Sequence, residues 1–124
     1  MRYQNSEAGD LGDRTTEFAL RVVKVFRSLP RNTESHVMGK QMLRSGTSVG
    51  AHIAESRRAK SPADFVSKVE GAMGELEETR YWFTMPIRSS MVPENKLSAL
   101  IKESDEIMAI IVTIVHKTRI DEND

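Results

Sequence analysis

The residues best suited to chemistry lie between positions 41 and 60, where the sequence reads QMLRSGTSVGAHIAESRRAK. His52 and Glu55 are three residues apart, so on a helix their side chains are neighbours. Di-metal carboxylate sites in four-helix bundles need a Glu from each of two helices and a Glu-x-x-His pair from each of the other two. Here the spacing occurs once and in reversed order. A satisfied core histidine therefore explains His52 better than a metal ligand.

Two other chemical hypotheses for this segment are weak. Ser48 precedes His52 by four residues, so on a helix the imidazole could act as its base, but such pairs are common by chance. Residues 45–50 lack the Lys-Ser/Thr of a phosphate-binding loop, and no strand precedes them. We therefore predict a protein that is not an enzyme, with no catalytic residue, no metal and no cofactor.

Cations in the first half of the chain form a candidate nucleic-acid patch. The whole chain has 18 basic and 18 acidic residues, so its net charge would not draw it to RNA or DNA. A patch repeated by assembly could still bind phosphates in a salt-sensitive manner, although a solvated helix face explains the cations better and no aromatic residues are interleaved for base stacking. The patch comprises Arg21, Lys24, Arg27, Arg31, Arg57, Arg58 and Lys60.

Composition indicates one soluble domain. A chain of 124 residues is a natural size for a single hydrophobic core. The absence of cysteine excludes disulfides and thiol catalysis and fits a reducing compartment. The N-terminus has no apolar signal region, and no apolar run is long enough to span a bilayer. We expect a cytoplasmic protein with no membrane association.

Apolar periodicity near 100° per residue predicts four helices and no strands. Ser61, Pro62 and Asp64 are typical of a helix start, because Ser caps, Pro suits the first turn and the acid meets the helix dipole. Pro86 and Pro93 bracket the break before the last helix. The prediction is an all-α, antiparallel up-down-up-down four-helix bundle over residues 13–119, with a flexible N-terminal arm at 1–12 and a disordered tail at 120–124.

Polar and small residues are expected inside this bundle. Gly46 and Gly50 each cost the second helix about 1 kcal/mol relative to alanine, which predicts close packing against another helix. Arg80 lies near the centre of the apolar face of the third helix, where an unpaired cation would be costly. Glu55 is its first candidate partner and Glu77, one turn away, is the second. His52 completes this structural polar cluster.

Several apolar side chains are expected at a surface between proteins. Tyr81 and Trp82 project away from the core face of the third helix, so another element or molecule should cover them. The apolar stripe of the fourth helix, widened by Ile110, Val112 and Ile114, exceeds half the circumference, which is more than a lone bundle needs. Tyr81, Trp82, Ile110 and Ile114 form the candidate interface.

The segment from the second to the third helix resembles the four-helix-bundle proteins first noticed as products of intervening sequences in bacterial large-subunit ribosomal RNA genes. His52 stands where that family typically has Asn, and Ser56 stands where Gly is common. The matching positions are Leu43, Arg44, Ser48, Val49, Gly50, Ala51, Ile53, Ala54, Glu55 and the run 75–82.

This resemblance implies a closed, ring-like homo-oligomer, pentameric in similar members, with no established catalytic activity. A related branch, the accessory proteins of diversity-generating retroelements, forms basic pentameric barrels that bind nucleic acid and a reverse transcriptase. The expected function is a non-enzymatic, homo-oligomeric interaction scaffold for an unidentified protein partner. The alternative is a nucleic-acid-binding accessory protein that uses an assembled basic patch.

Overall fold

The computed structural model describes residues 6–123 of the chain, with side chains described for 10–121. Within this part the secondary structure is helical and contains no strand. The four α-helices are α1 (Ser6–Ser28), α2 (Thr33–Ser56), α3 (Pro62–Arg88) and α4 (Ser98–Asn123), and a 3-10 turn at Glu94–Lys96 precedes α4.

The helices form an up-down-up-down bundle. The short links at 29–32 and 57–61 turn each helix back along the one before it. Each helix packs against its neighbour in the sequence, and α4 packs back against α1, which places α1 and α3 at opposite corners. This confirms the predicted four-helix bundle.

Local signals set two of the helix starts. Asn32 caps α2, because its side-chain oxygen accepts a hydrogen bond from the amide of Ser35 at 2.8 Å. Ser61 caps α3 by accepting from the amide of Asp64 at 3.0 Å, and Pro62 occupies the first turn as predicted. Helix α3 ends two residues after Pro86, within the predicted break.

Both ends of the bundle are more helical than predicted. Helix α1 begins at Ser6 rather than near Asp13, and Leu11 is buried in the core instead of belonging to a flexible arm. Helix α4 continues to Asn123 rather than ending near Arg119. One isolated leucine in a polar segment gives no periodic signal, which is why the first turns of α1 escaped prediction. The remaining parts of the predicted arm and tail, 1–5 and 124, lie outside the described residues.

The core runs through the centre of the bundle and draws on all four helices. Phe18 of α1 and Phe83 of α3 meet there edge to face, with ring centroids 6.1 Å apart. The largest fully buried side chains are Phe18, Phe65, Phe83, Leu11, Met42, Ile53, Leu76, Leu97, Ile107, Ile111, Ile114 and Val22.

Glycines of α2 bring it close to α1. A Cβ atom added at Gly46 would lie 3.0 Å from both Cγ atoms of Val22, and one at Gly39 would lie 2.8 Å from Cδ1 of Leu29. At Gly50 the nearest atom, Oγ1 of Thr15, would be 3.4 Å away, an ordinary contact. The space that Gly46 leaves is thus occupied by α1, whereas Gly50 is less tightly packed.

Candidate interaction surfaces

His52 lies at the edge where α2 meets α3, rather than inside the apolar core. Its side chain is one-third exposed. Its Nδ1 lies 4.0 Å from an oxygen of Glu55, and its Nε2 lies 3.9 Å from an oxygen of Glu75 on α3. Both separations exceed hydrogen-bonding distance. Glu55, the carboxylate predicted to pair with Arg80, therefore lies near His52. Glu75 of α3 lies near the second nitrogen of the same ring.

A glycine of α3 makes room for the His52 ring. A Cβ atom added at Gly71 would lie 2.9 Å from Nδ1 of His52, so the ring rests against the α3 backbone. Nδ1 is buried and has no hydrogen-bond partner among the described residues. Ser48 donates its hydroxyl proton to the carbonyl oxygen of Arg44 at 2.7 Å. The hydroxyl is thus engaged within its own helix and is not set up as a nucleophile with His52.

Arg80 does not pair with Glu55, so that predicted ion pair is wrong. Its guanidinium lies 2.6 Å from Asp105 of α4 and 3.6 Å from Glu77 of its own helix, and its side chain is 37% exposed. The long aliphatic stem carries the charge out of the apolar stripe to the α3–α4 edge. Because the pair is partly solvated, it contributes about 0.2–1 kcal/mol rather than the several expected of a buried cation.

A buried hydroxyl pair joins α2 to α3 in place of the predicted ion pair. The side-chain oxygens of Ser45 and Thr79 lie 3.0 Å apart, and both residues are fully buried. Ser45 donates to the carbonyl oxygen of Gln41 at 2.8 Å, so its oxygen can accept from Thr79, whose single hydroxyl proton is shared with the carbonyl oxygen of Glu75 at 2.7 Å. Thr79 falls between Leu76 and Phe83 on the core stripe of α3, and this spacing is the signal that could have identified it.

Trp82 is partly buried against its own bundle. Less of its side chain is therefore available to the predicted interface than expected. Its indole nitrogen donates to Glu78 at 3.0 Å, and Glu78 also pairs with Arg44 of α2. The hydrogen bonds from Arg44 and then Trp82 hold the pKa of Glu78 below its ordinary value. Tyr81 remains 55% exposed and packs edge to face on Trp82, with centroids 4.9 Å apart.

The α1–α4 contact carries a forked ion pair. Arg14 donates from Nε and one terminal nitrogen to both oxygens of Glu103, at 2.7 and 2.8 Å. The side chain of Glu103 is only 17% exposed, and Glu106 lies 3.4 Å from the same guanidinium. The Arg14 hydrogen bonds hold the pKa of Glu103 below its ordinary value, against the opposing effect of burial, and the charge of Arg21 adds to the lowering.

Stability is expected to depend on this pair in a specific pH window. Because the pKa of Glu103 is lower in the folded state, its contribution is complete above the unfolded pKa of about 4.3 and disappears as the pH falls through the folded value. Replacing Glu103 by Gln should therefore lower the free energy of unfolding by about 1 kcal/mol at pH 7. Urea titrations at pH 7 and pH 3 should show the difference from wild type shrinking in acid.

Glu106→Gln is the matched control for this experiment. Glu106 contacts the same arginine at a longer distance, and its side chain is about half exposed, so the expected loss at pH 7 is smaller. A Glu103→Gln effect of equal size at both pH values would show that the ionisation of Glu103 is not coupled to folding.

The predicted nucleic-acid patch is divided between the two ends of the bundle. Arg31 precedes the first residue of α2, and Arg57 follows its last. With 24 residues, α2 separates them by about 36 Å. Arg21 is half-buried and its charge helps to lower the pKa of Glu103, and the guanidinium of Arg57 packs over Gly12 of α1. The exposed members are Lys24, Arg27 and Arg31 near one end, and Arg57, Arg58 and Lys60 at the other.

The outward side of α4 differs from the prediction in the residues it presents. Ile114 is fully buried in the core of the bundle, and Ile110 packs partly against that core, so Ile114 is not available at the surface. Val112 and Ile120 are exposed instead, at 50% and 47%. The exposed residues at positions 109, 112, 113, 116 and 120 form what we term the α4 face: Ala109, Val112, Thr113, His116 and Ile120.

Two classes of site have no support in the described structure. No group of three or more His, Cys, Asp or Glu side chains among the described residues could hold a metal ion. No helix within residues 6–123 has the length and apolarity to cross a membrane.

Comparison with known proteins places this bundle in a family. The family model of the 23S rRNA-intervening sequence protein matches residues 10–113. The fold is similar to the crystal structure of a protein with unknown function from the S23 ribosomal protein family of Bacteroides thetaiotaomicron. The two chains are 35% identical with a TM-score of 0.83, over 89% of this chain and 98% of that one. Among curated proteins none matches. The chain therefore belongs to the 23S rRNA-intervening sequence protein family.

Proposed function

We propose that this protein is a non-enzymatic, cytoplasmic homo-oligomer whose assembled surface serves as a scaffold for another protein. The observation that carries the proposal is the α4 face, which leaves Val112 and Ile120 about half exposed on one side of a helix. We assign a second copy of the chain as the molecule that covers this face. A ring of several copies, five by the family resemblance, would place the same face in every subunit contact.

The composition of the α4 face supports self-association. Single exposed apolar residues are ordinary on a monomer. Here, however, the five positions of the α4 face contain no Lys, Arg, Asp or Glu, although the exposed Lys117 and Arg119 flank it. The outward positions of the first half of α4 include Lys102, Asp105 and Glu106. Protein interfaces typically have few charged residues at their centre and more charged residues at their margin.

The non-enzymatic part of the proposal rests on the two side chains that could have formed a catalytic pair. The Ser48 hydroxyl is bonded to its own helix, and Nδ1 of His52 is buried against α3 at Gly71. A general base must reach the proton it removes, directly or through one water. The Ser48 hydroxyl and Nδ1 of His52 are not arranged for that step, and Nε2 of His52 faces Glu75 of α3 at 3.9 Å.

The mass of the purified protein tests the proposal. Light scattering should give a wild-type mass well above the 14.0 kDa of one subunit. Val112→Glu combined with Ile120→Glu should lower that mass, because two carboxylates would have to be desolvated in the contact. Ala99→Glu, at an exposed position in the first turn of the same helix, is the control and should retain the wild-type mass. A monomeric wild type would overturn the proposal.

Nucleic acid is the second candidate partner, favoured by the exposure of Lys24, Arg27 and Arg31 near one end of the bundle. The same mass measurement with generic RNA distinguishes it. A complex that forms at low salt and dissociates at high salt would indicate phosphate contacts by these cations. An oligomer that ignores RNA would favour the protein scaffold.

A further inference from the structure

Positive charge is concentrated at one end of the bundle. Residues 24–40 and 88–102, which include the α1–α2 link and the α3–α4 link, form what we term the basic end. It contains seven basic and two acidic residues, a net charge of +5 in a chain whose total is zero. The acids are Glu34 and Glu94, and the cations are Lys24, Arg27, Arg31, Lys40, Arg88, Lys96 and Lys102, all of them exposed.

The two links lie side by side at this end. The ammonium of Lys96, in the α3–α4 link, donates to the carbonyl oxygen of Ser28 at the end of α1, at 3.4 Å. The hydroxyl of Ser35, in the first turn of α2, donates to the sulfur of Met91 in the α3–α4 link at 2.9 Å. Cations from both links therefore belong to one surface.

The cations of the basic end are not neutralised by carboxylates of the chain. Ion pairs between helices are made by Arg14, Arg44, Arg80 and Arg119, all outside this end. None of the seven cations has an ion pair among the residues that the structure describes. Their charge is thus available to an anionic ligand.

Folding stability explains only part of this concentration of charge. Arg27 and Arg88 lie in the last turns of α1 and α3, where the helix dipole stabilises a cation. Lys40 and Lys102 lie beyond the first turns of α2 and α4, where the dipole has little effect. Arg31 precedes the start of α2, where the dipole disfavours positive charge. A bound polyanion explains all of these positions.

A cleft opens on this surface between the end of α1 and the start of α2. Its volume of about 590 Å³ lies within the range usual for ligand clefts. Arg27 and Arg31 line it together with the rings of Phe26, Pro30 and His36. The sequence pattern predicts no aromatic side chains among these cations, whereas the fold brings Phe26 and His36 beside them. Guanidinium groups next to ring faces suit a base and its neighbouring phosphates.

The opposite end of the bundle lacks this segregation of charge. Arg58 and Lys60, which belong to the predicted nucleic-acid patch, share a depression with Glu55 and Asp64. The carboxylates would repel a phosphate backbone there. Of the two halves of the predicted patch, only the one at the basic end is suited to a polyanion.

We propose that the basic end binds single-stranded nucleic acid, with phosphates at the cations and one base in the cleft between α1 and α2. This inference rests on the second candidate function and gives it a site and a form of ligand. A duplex could meet the cations, but its stacked bases would not enter the cleft, whereas an unpaired base can stack on a ring.

Fluorescence anisotropy of a labelled oligouridine of about 20 nucleotides, longer than most single-strand sites, tests the proposal. The wild-type protein should bind it at about 50 mM salt, and its affinity should fall about tenfold or more at about 200 mM salt, because phosphate contacts release counterions. Absence of binding at the lower salt concentration would overturn the inference.

A pair of double variants locates the site. Arg27→Gln with Arg31→Gln should weaken binding and reduce the slope of log affinity against log salt by about 1.4, since each contact to a single strand contributes about 0.7. Arg58→Gln with Lys60→Gln removes the same charge from the opposite end and should leave both values unchanged. Far-UV circular dichroism checks that both variants are folded. Equal effects of the two variants would contradict a site at the basic end.

His36→Ala tests the contact with a base. His36 is exposed, so the variant should stay folded. Its affinity for oligouridine should fall about fivefold or more with the salt slope unchanged, because stacking does not depend on counterions. Polyglutamate of similar length should bind far more weakly than oligouridine. Equal binding of the two polymers would show that the site recognises negative charge alone and would overturn the assignment of nucleic acid.

Light scattering of the same samples without RNA separates this inference from the proposed scaffold. An assembled wild type that binds no RNA would overturn the inference and leave the scaffold in place. A monomeric wild type that binds RNA through the basic end would support the inference and overturn the scaffold.

Discussion

Replacing Gly46 by leucine is expected to destabilise the folded protein by about 1–3 kcal/mol, because overpacking against a rigid neighbour forces helices apart. A Cβ at this position would already lie 3.0 Å from both Cγ atoms and 3.3 Å from the Cβ of Val22. Val22 is fully buried and is branched at Cβ, so it has little rotamer freedom with which to yield. The remaining atoms of a leucine would meet the same helix.

Urea unfolding followed by far-UV circular dichroism, at one fixed subunit concentration, measures this loss. The concentration must be fixed because self-association would contribute to apparent stability. Gly74→Leu is the matched control, since it makes the same chemical change where the chain has open space. Leucine favours a helix over glycine, so the control should retain or slightly raise stability. Equal losses for the two variants would show that contact with α1 does not set the effect at Gly46.

Local sequence signals were sufficient to predict the four helices and their order. Ser61 and Pro62 fix the start of α3 through contacts within four residues, and Asn32 does the same for α2. The core faces of α2 and α3 follow from periodicity, because a residue that lies on the apolar stripe of an amphipathic helix is buried whichever helix covers it. These properties do not depend on how the bundle is assembled.

The pairing of Arg80 depends on the assembly and so could not be predicted. Helical periodicity placed Arg80 on the apolar face of α3. Periodicity does not say, however, which neighbouring helix borders each edge of that face. In the structure the Arg80 edge faces α4, where Asp105 lies 2.6 Å away, and Glu55 of α2 lies beside His52 instead. The handedness of the bundle decides between these partners, and a pattern of apolar residues is the same for both hands.

Ile114 was wrongly assigned to the predicted α4 interface for a related reason. A stripe wider than half the circumference shows that some apolar residues must remain outside, but not which ones. Helices α1 and α3 both pack against α4, and together they bury Ile114. Val112, two residues earlier, points away from both. Width of the stripe thus predicts an exposed apolar face, and only the packing identifies its members.

Phe83→Ala is expected to lower the free energy of unfolding by about 3–5 kcal/mol, as large-to-small changes of buried aromatic residues usually do. Phe83 is fully buried and meets Phe18 edge to face at 6.1 Å, with their planes 66° apart. Because α1 and α3 occupy opposite corners, the pair spans the centre of the bundle, and neither neighbouring helix can easily move in to fill the space. Such a loss is a large fraction of the 5–15 kcal/mol that stabilises a typical domain.

A double-mutant cycle separates the aromatic contact from burial alone. Phe18→Leu and Phe83→Leu keep both positions apolar, so the deviation from additivity in their double variant reports the edge-to-face contact, expected at about 0.5–1.5 kcal/mol. Thr84→Ala, at the exposed neighbouring position, should change stability little. Additive losses would mean that the two rings contribute through burial only. A coupling of the expected size would show that the diagonal helices α1 and α3 are joined directly through the core.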